Sequence, residues 1–398
     1  MLEGIRVVES SLHLAGPYCG RFLAELGAEV IKIEPLGGEA NRRSVPRKNG
    51  IAMLYENYNV NKKSLALDLK SKEGKKIFLD LIKVSDVFLS NYRPGSMDRL
   101  GLGYDVQKAV NPRIIYATIT GFGESGVYSD IAAYDPLVQA MTGLMDSNSC
   151  EDGFPKVNSM SLDYASATLG ASAILGALYY REKTGTGQKL DIAMQDVGLV
   201  YAMPSFLFKI AGMKYRMGNR SLVFAPYNIY ETADGYVMIA IDENDRWVRF
   251  LHAIGRSDLV NDERFLDVQS RVENYNDVDA VVSAWSKSHR SDEVIRIVRE
   301  SGGASVPIKN IDEAFKDPNA KKREMLLNFR DPSGEVIFVS GSPFKMSETP
   351  GTVNSRAPLL GEHTIEILSG ILGYSDSTIK NFLNSHVVYA IEHREDTR

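Results

Sequence analysis

The stretch that decides the fold is IRVVESSLHLAGPYCGRFLAELGAEVIKIE, residues 5–34. It begins with a β-branched apolar run at residues 5–8 and ends with a second such run at residues 29–34. Between them, apolar side chains recur at i, i+3, i+4 and i+7, the spacing of a helix that buries one face: Cys19, Phe22, Leu23 and Leu26. We therefore predict a strand, a helix and a second strand.

Two residues mark the ends of this predicted helix. Pro17 suits the first turn, where its missing N–H costs no hydrogen bond, and Gly27 suits the left-handed position after the last turn. A strand, helix and strand in this order predict two parallel strands joined by a right-handed crossover.

The alternation of strands and helices continues to about residue 200. The further predicted elements are a charged helix at 71–85, strands at 87–92, 113–120 and 189–194, and a long helix of small residues at 164–181. This order predicts an α/β fold, a doubly wound, Rossmann-like domain around a parallel sheet.

The sequence changes in character from Pro226 onward, and a smaller α+β domain is predicted there. Residues 227–241 predict a hairpin that turns at Asp234 and Gly235. Helical patterns follow at 246–255, 277–288 and 291–301.

The C-terminal segment returns to the first domain in our prediction, with a hairpin at 328–340 and a helix at 361–373. The predicted domains are a large one at 1–205 and 322–398, a linker at 206–225 and a small one at 226–321.

Composition limits the function classes. The chain has 398 residues, 44% hydrophobic and 24% charged, and a net charge of −5 with both signs spread along it, which argues against a nucleic-acid binder. A secretion signal and a membrane span are not predicted, so we expect a cytoplasmic protein without a membrane partner. The two cysteines, Cys19 and Cys150, are too few for a disulfide framework or a cysteine metal site, and no metal is expected.

The glycines of IIYATITGFGESG raise the question of a dinucleotide site, because Gly121-x-Gly123-x-x-Gly126 follows a predicted strand. That site also needs a helix beginning at the last glycine and an acidic residue at a strand end about twenty positions on. No helical pattern begins near Gly126, and Asp146 is not at a strand end. We therefore expect a loop whose N–H groups face a ligand, or a plain structural turn.

Several ordered blocks together carry a family resemblance. They are LAGPYCGRFLAELGAEVIKIE, NKKSLALDLKSKEGK, NYRPGSMDRLGLGYD, NPRIIYATITGFGESG, YDPLVQAMTG, REKTGTGQKLDIAMQD and APLLGEHTIEIL. The chain resembles the class III (family III) CoA-transferases, a family that also contains α-methylacyl-CoA racemases. The resemblance implies a homodimer of interlocked two-domain subunits and a CoA thioester that is a substrate, with no permanently bound cofactor.

The resemblance implies that Asp163 is the nucleophile, since the match runs without gaps through DYASATLGASAILGALYYREKTGTGQ. The implied path from acyl-CoA passes through a mixed anhydride and an aspartyl-CoA thioester to an acceptor acid. With the usual pKa of about 3.9, Asp163 would be ionised at neutral pH and need no general base. From the residues alone, an N-cap of the following helix is an equally good interpretation.

The same resemblance implies two sets of ligand contacts. The expected CoA contacts are Pro35, Leu67, Lys70, Asn91, Tyr92, Arg99 and Met194. Lys70 and Arg99 are the phosphate candidates, although a solvated surface is the simpler interpretation of each alone. The expected acyl-site contacts are His13, Leu14, Tyr134 and Asp135, with a structural imidazole as the alternative for His13.

Differences between this chain and some members of the family narrow the expected substrate and reaction. Leu14 replaces a glutamine of the formyl-CoA transferases, which argues against formate and oxalate. Asp130 stands where racemases carry a histidine, so a transferase is favoured over a racemase, even though Asp242 falls near another racemase carboxylate. Acceptors such as succinate, malate, mesaconate or a carnitine-type acid stay open. A catalytically silent CoA-binding protein and an NAD-dependent dehydrogenase are the remaining alternatives.

Overall fold

The computed structural model describes residues 1–149, 155–156, 159–216, 218–330 and 334–391. The strands are β1 Arg6–Ser10, β2 Glu29–Glu34, β3 Arg47–Lys48, β4 Ile51–Ala52, β5 Lys63–Leu67, β6 Val87–Ser90, β7 Ile115–Thr120, β8 Lys189–Ala193, β9 Tyr227–Thr232, β10 Gly235–Ala240, β11 Ala304–Pro307, β12 Leu326–Arg330, β13 Val336–Ser340 and β14 Val388–Tyr389.

The α-helices are α1 Ala15–Glu25, α2 Met53–Tyr58, α3 Lys72–Lys83, α4 Ser96–Arg99, α5 Tyr104–Val110, α6 Asp135–Met141, α7 Leu144–Ser147, α8 Ser161–Thr184, α9 Met194–Ile210, α10 Asn244–Ala253, α11 Val268–Glu273, α12 Tyr275–Ser286, α13 Ser291–Glu300, α14 Ile311–Phe315, α15 Pro318–Lys322, α16 Thr364–Glu366 and α17 Asp376–Asn384. Short 3₁₀ turns occur at Ala40–Arg43 and Ser257–Leu259, and a π-helical turn at Ile367–Ile371.

The central sheet has the strand order β14-β5-β2-β1-β6-β7-β8. Every pair is parallel except β14 with β5. Taken in chain order, the six parallel strands follow the arrangement 3-2-1-4-5-6 of doubly wound sheets. The predicted α/β fold with a parallel sheet is confirmed, and strand order reverses between β1 and β6.

Alternate residues of the strands enter two separate apolar cores, so the strands bury side chains on both faces of the sheet. Val7 and Val87 pack with α1 and α8 on one side. Val8 and Phe88 pack with α3 and α17 on the other. Helices cover both faces, so ligands reach the sheet at its strand ends.

The opening strand–helix–strand prediction is confirmed by β1, α1 and β2, which begin and end within two residues of the predicted positions. Gly27 follows the last turn of α1 with φ +100°, in the left-handed region that favours glycine. The sequence analysis missed β5 and β14. The latter lies near the end of the described chain and adds an antiparallel edge strand beside β5.

Chain contacts divide the molecule into two compact units. The first contains Met1–Thr142, Val157–Tyr201 and Pro318–Arg398. The second contains Gly143–Lys156 and Ala202–Asp317; its three-stranded sheet, β11-β10-β9, packs with α10, α12 and α13 around Trp247 and Phe250. The predicted hairpins at 227–241 and 328–340 are confirmed as β9–β10 and β12–β13, and the turn at 331–333 lies outside the described residues. Among the described residues, no helix is long and apolar enough to cross a membrane.

Candidate active site

The loops after β1 and β6 are joined at the point where strand order reverses. The Asn91 side chain accepts a hydrogen bond from the Leu12 N–H at 2.8 Å and donates one to the Leu12 carbonyl at 2.7 Å. The Ser10 hydroxyl lies 3.3 Å from the Tyr92 hydroxyl. In open α/β sheets this crevice beyond the strand ends is where ligands bind.

A cavity of about 610 Å³ opens at the ends of β2, β5 and β6. Five of the seven expected CoA contacts line it: Pro35, Leu67, Lys70, Tyr92 and Arg99. Apolar walls from Ile33 and Leu100 face two exposed cations, Lys70 and Arg99. The cavity therefore offers an apolar slot with a cationic rim, as a nucleotide with phosphates requires.

A second cavity of about 340 Å³ adjoins the first, and Tyr92 and Ser96 line both. Its walls contain the predicted residues His13, Asn91 and Tyr134. The structure thus brings six of the seven expected CoA contacts and two of the four expected acyl-site contacts to one edge of the sheet.

Four predicted residues line neither cavity: Leu14, Met194, Asp135 and Asp163. Leu14 is buried at the start of α1, with 3% of its surface exposed. Met194 is buried at the junction of β8 and α9. Asp130 lies in an exposed turn, and Asp242 belongs to the second compact unit, where it pairs with Arg246 at 2.7 Å.

The glycine loop after β7 runs through turns and bends over residues 121–134, and the next helix begins at Asp135. Two of its N–H groups donate hydrogen bonds within the protein. Gly123 donates to the Thr120 hydroxyl and Glu124 to the Asp191 carboxylate, both at 3.0 Å. The expectation that the N–H groups of this loop face a ligand is therefore wrong at these two positions. Gly121 and Phe122 do line the second cavity.

A buried ionic cluster, which the sequence analysis missed, lies against the loop after β1 that carries His13. Lys32 contacts Glu9 at 3.0 Å and Glu39 at 3.2 Å, and Lys62 contacts Glu9 at 2.7 Å, all with fully buried side chains. Burial lowers the pKa of Lys62 to about 8, although Glu9 opposes that change. Burial alone would raise the pKa of Glu9, but Lys32 and Lys62 outweigh it and the net direction is down.

The cluster holds the backbone that carries His13. Lys32 donates to the Ser11 carbonyl at 3.0 Å, Lys62 donates to the Pro17 carbonyl at 2.7 Å, and Glu39 accepts from the His13 N–H at 3.3 Å. His13 has φ +61°, a left-handed conformation that is sparsely populated without glycine. Strain of this kind persists where surrounding contacts fix the backbone, as they do here.

Asp163 is the third residue of α8, and another residue caps that helix. The N-cap position is Met160, whose side chain makes no capping bond. The Asp135 carboxylate instead accepts from the N–H groups of Leu162 at 2.7 Å and Asp163 at 3.1 Å. The interpretation of Asp163 as an N-cap is therefore wrong, and no hydrogen bond to its own carboxylate is present within the described part of the chain.

The surroundings of Asp163 change its ionisation. Burial, and then the charge of Asp135, raise the pKa of Asp163 from its usual 3.8 to about 7. Three tyrosines lie alongside: Tyr58 forms a hydrogen bond with Tyr164, and the rings of Tyr18 and Tyr164 meet edge to face at 4.7 Å. The expectation of a fully ionised carboxylate at neutral pH is wrong, because a pKa near 7 leaves a large fraction protonated there.

Three comparisons place the chain among known proteins. The family model described as CoA-transferase family III matches residues 2–364. The chain is 33% identical to the succinyl-CoA–L-malate CoA-transferase beta subunit of Chloroflexus aurantiacus, covering 97% of this chain and 98% of that protein. It is also 33% identical to the succinate–glutarate CoA-transferase of Agrobacterium fabrum, covering 92% and 95%.

A solved structure agrees with these relatives. The crystal structure of a CAIB/BAIF family protein from Brucella suis superposes with a TM-score of 0.82 at 31% identity, covering 93% of this chain and 98% of that one. Sequence and fold therefore match over nearly the whole length, and the protein is an enzyme that belongs to CoA-transferase family III.

Proposed function

We propose that this enzyme transfers CoA from a dicarboxylic acyl-CoA such as succinyl-CoA to a second small carboxylic acid, with Asp163 as the nucleophile. The observation that carries the proposal is the half-buried Asp163 carboxylate in the first turn of α8, free of capping because Asp135 binds the helix N–H groups. Both relatives described above are named for succinate or succinyl-CoA, which supports the donor.

The proposed steps exchange acyl groups without loss of atoms. The ionised Asp163 attacks the thioester carbonyl, a C–O bond forms, the C–S bond breaks, and CoA leaves as a thiolate. The thiolate then attacks the aspartyl carbonyl of the mixed anhydride, which releases the donor acid and leaves an aspartyl-CoA thioester. The acceptor carboxylate repeats both steps in reverse, and Asp163 is regenerated.

The two adjoining cavities suit the two parts of an acyl-CoA. We propose that the larger cavity holds the nucleotide end, with Lys70 and Arg99 at the phosphates, and that the smaller cavity near His13 and Tyr134 holds the acyl group. The reacting carboxylate is half-buried, which limits the access of the water that would hydrolyse the anhydride.

Assembly and location complete the proposal. By the family resemblance, we propose a cytoplasmic homodimer of interlocked subunits without a permanently bound cofactor. Light scattering on the purified chain measures the subunit number, and a monomer at micromolar concentration would contradict the dimer.

An isotope experiment tests the nucleophile. Succinyl-CoA is mixed with a panel of ¹⁸O-labelled acids, including L-malate, glutarate, mesaconate, oxalate and acetate, and new CoA esters are followed by mass spectrometry. We expect a gain of two daltons on the peptide containing Asp163 after one turnover, because the acceptor leaves one oxygen on that carboxylate. Direct transfer between the two substrates would label the released succinate but not the peptide.

Two controls separate the alternatives. Asp163→Ala is expected to abolish ester exchange, whereas Asp130→Asn, a change in an exposed turn, is expected to keep it. Incubation with a 2-methylacyl-CoA in deuterium oxide tests proton transfer, since a one-dalton gain without new esters would favour a racemase instead.

A further inference from the structure

We propose that Asp135 is a positioning residue, which caps α8 from outside the helix so that Asp163 is free to react. This inference rests on the proposed nucleophile. Asp135 was expected to contact the acyl group, yet its side chain is buried, with 3% of the residue surface exposed. Its role then lies in holding the first turn of α8 and in acting on the neighbouring carboxylate.

The contacts of Asp135 replace those of an ordinary N-cap. An N-cap side chain accepts from the N–H groups of the second and third helical residues, and in α8 these are Leu162 and Asp163. One oxygen of Asp135 accepts from both N–H groups, while the other accepts from the Gln139 amide. Both oxygens are therefore engaged inside the protein.

An aspartate in the first turn of a helix can either cap the helix or act as a nucleophile, and these two roles compete. A carboxylate that caps its own helix is held by the helix N–H groups, and those bonds stabilise its charge and weaken it as a nucleophile. Met160 at the N-cap position cannot accept a bond with its thioether chain, so the cap must come from elsewhere. Asp135, at the first position of α6, supplies it, next to Tyr134 of the second cavity.

The charge of Asp135 also acts on the reacting group. The ionisable groups around Asp163 are Asp135 from α6, Tyr58 from α2 and its own neighbour Tyr164, with Tyr18 of α1 behind Tyr164. After burial, Asp135 is the group that raises the pKa of Asp163. A more basic carboxylate is a stronger nucleophile once it is ionised, so the pair couples helix capping to reactivity.

The variant Asp135→Asn separates charge from capping. Its amide oxygen still accepts from the α8 N–H groups, and Gln139 can turn its own amide to face the new NH₂ group. We expect the acid limb of the kcat/KM profile for succinyl-CoA to move about one pH unit lower, since a like charge has been removed. The KM for CoA substrates, which depends on the larger cavity, is expected to stay within about threefold.

Matched variants complete the test. Asp135→Ala removes the cap, and a loosely held nucleophile is expected to lower kcat about 100-fold with an unchanged KM. Asp130→Asn removes an exposed carboxylate five residues away and is expected to leave the acid limb in place. An acid limb of Asp135→Asn that coincides with the wild-type limb overturns the action of the Asp135 charge on Asp163, and a folded Asp135→Ala variant with the wild-type kcat overturns the capping role. Where Asp135→Ala does not fold, Asp135→Asn still decides whether the charge of Asp135 acts on Asp163.

The two proposals fail in different ways. An active Asp163→Ala variant, or wild-type enzyme without ¹⁸O on the Asp163 peptide, overturns the proposed function itself. With label on that peptide, an unmoved acid limb in Asp135→Asn overturns only the charge effect of Asp135, and a wild-type kcat in Asp135→Ala overturns only its capping role.

Discussion

Replacing the proposed nucleophile by its neutral isostere is expected to stabilise the protein. The pKa of Asp163 is about 7 in the folded state in place of the usual 3.8, because burial and Asp135 oppose its charge. At about 1.4 kcal/mol per pH unit, ionising this group in the folded protein costs about 4 kcal/mol. The positive end of α8 offsets up to about 1 kcal/mol, so Asp163→Asn is expected to gain about 3 kcal/mol above pH 8.

The sign of the effect follows from proton binding. Between about pH 4 and pH 7 the folded state keeps the proton of Asp163 and the unfolded state loses it, so wild-type stability falls as pH rises through this window. The asparagine variant lacks this loss. Its advantage is therefore expected to be near zero at pH 4 and to reach its full value above pH 7.

Urea unfolding of both proteins from pH 4 to pH 9 measures this difference, and hydrogen exchange in the first turn of α8 locates it. Asp105→Asn is the matched control, because Asp105 is also in the first turn of a helix but is exposed. It is expected to change stability by no more than about 0.5 kcal/mol. A constant difference between Asp163→Asn and wild type across this pH range would refute a raised pKa at this position.

Three further predictions concern packing against Glu9, the buried ionic cluster and the larger cavity. Gly20→Ala is expected to lower the free energy of unfolding in urea by about 3 kcal/mol, since a Cβ there would lie 2.0 Å from a Glu9 carboxylate oxygen. Gly176→Ala is the control: its Cβ would meet open space, and it is expected to raise the free energy of unfolding by about 0.5–1 kcal/mol. Lys62→Met is expected to destabilise by about 3 kcal/mol because Glu9 loses one of its two buried cations, and a double variant that also removes Glu9 should recover much of that loss. Arg99→Met is expected to raise the KM for acyl-CoA about tenfold with little change in kcat, whereas equal KM values would contradict a phosphate contact.

Local patterns predicted the parts of the fold that local forces determine. The helix α1 was predicted because its apolar spacing and its two end residues, Pro17 and Gly27, agree. The strand β5 was missed because Lys63 and Ser64 interrupt its apolar pattern. Their environment comes from distant segments: the Ser64 hydroxyl donates to Glu34 at 2.9 Å, and Lys63 pairs with Glu29 at 2.7 Å.

Sequence patterns predicted the candidate site only in part, for the same reason. Motif positions indicated which residues gather at the strand ends, but not how they are supported. A buried lysine such as Lys62 has no sequence signal, because lysine is ordinarily exposed and its partner Glu9 is 53 positions away. The cap on α8 was missed for the same reason, since Asp135 and the N–H groups that it binds are 27 and 28 positions apart.

The strand order 3-2-1-4-5-6 is shared with dinucleotide-binding sheets, but the turn after the first strand differs in this chain. In a dinucleotide-binding sheet, glycines in the turn after the first strand let the pyrophosphate approach the following helix. Here that turn carries His13 and the buried Leu14, and Lys62 binds the Pro17 carbonyl from below. The glycine motif follows β7 instead, where Gly123 bonds within its own loop. Side chains thus occupy that turn, and the open space lies instead at the ends of β2, β5 and β6, next to the second cavity, which Gly121 and Tyr134 of the loop before Asp135 line.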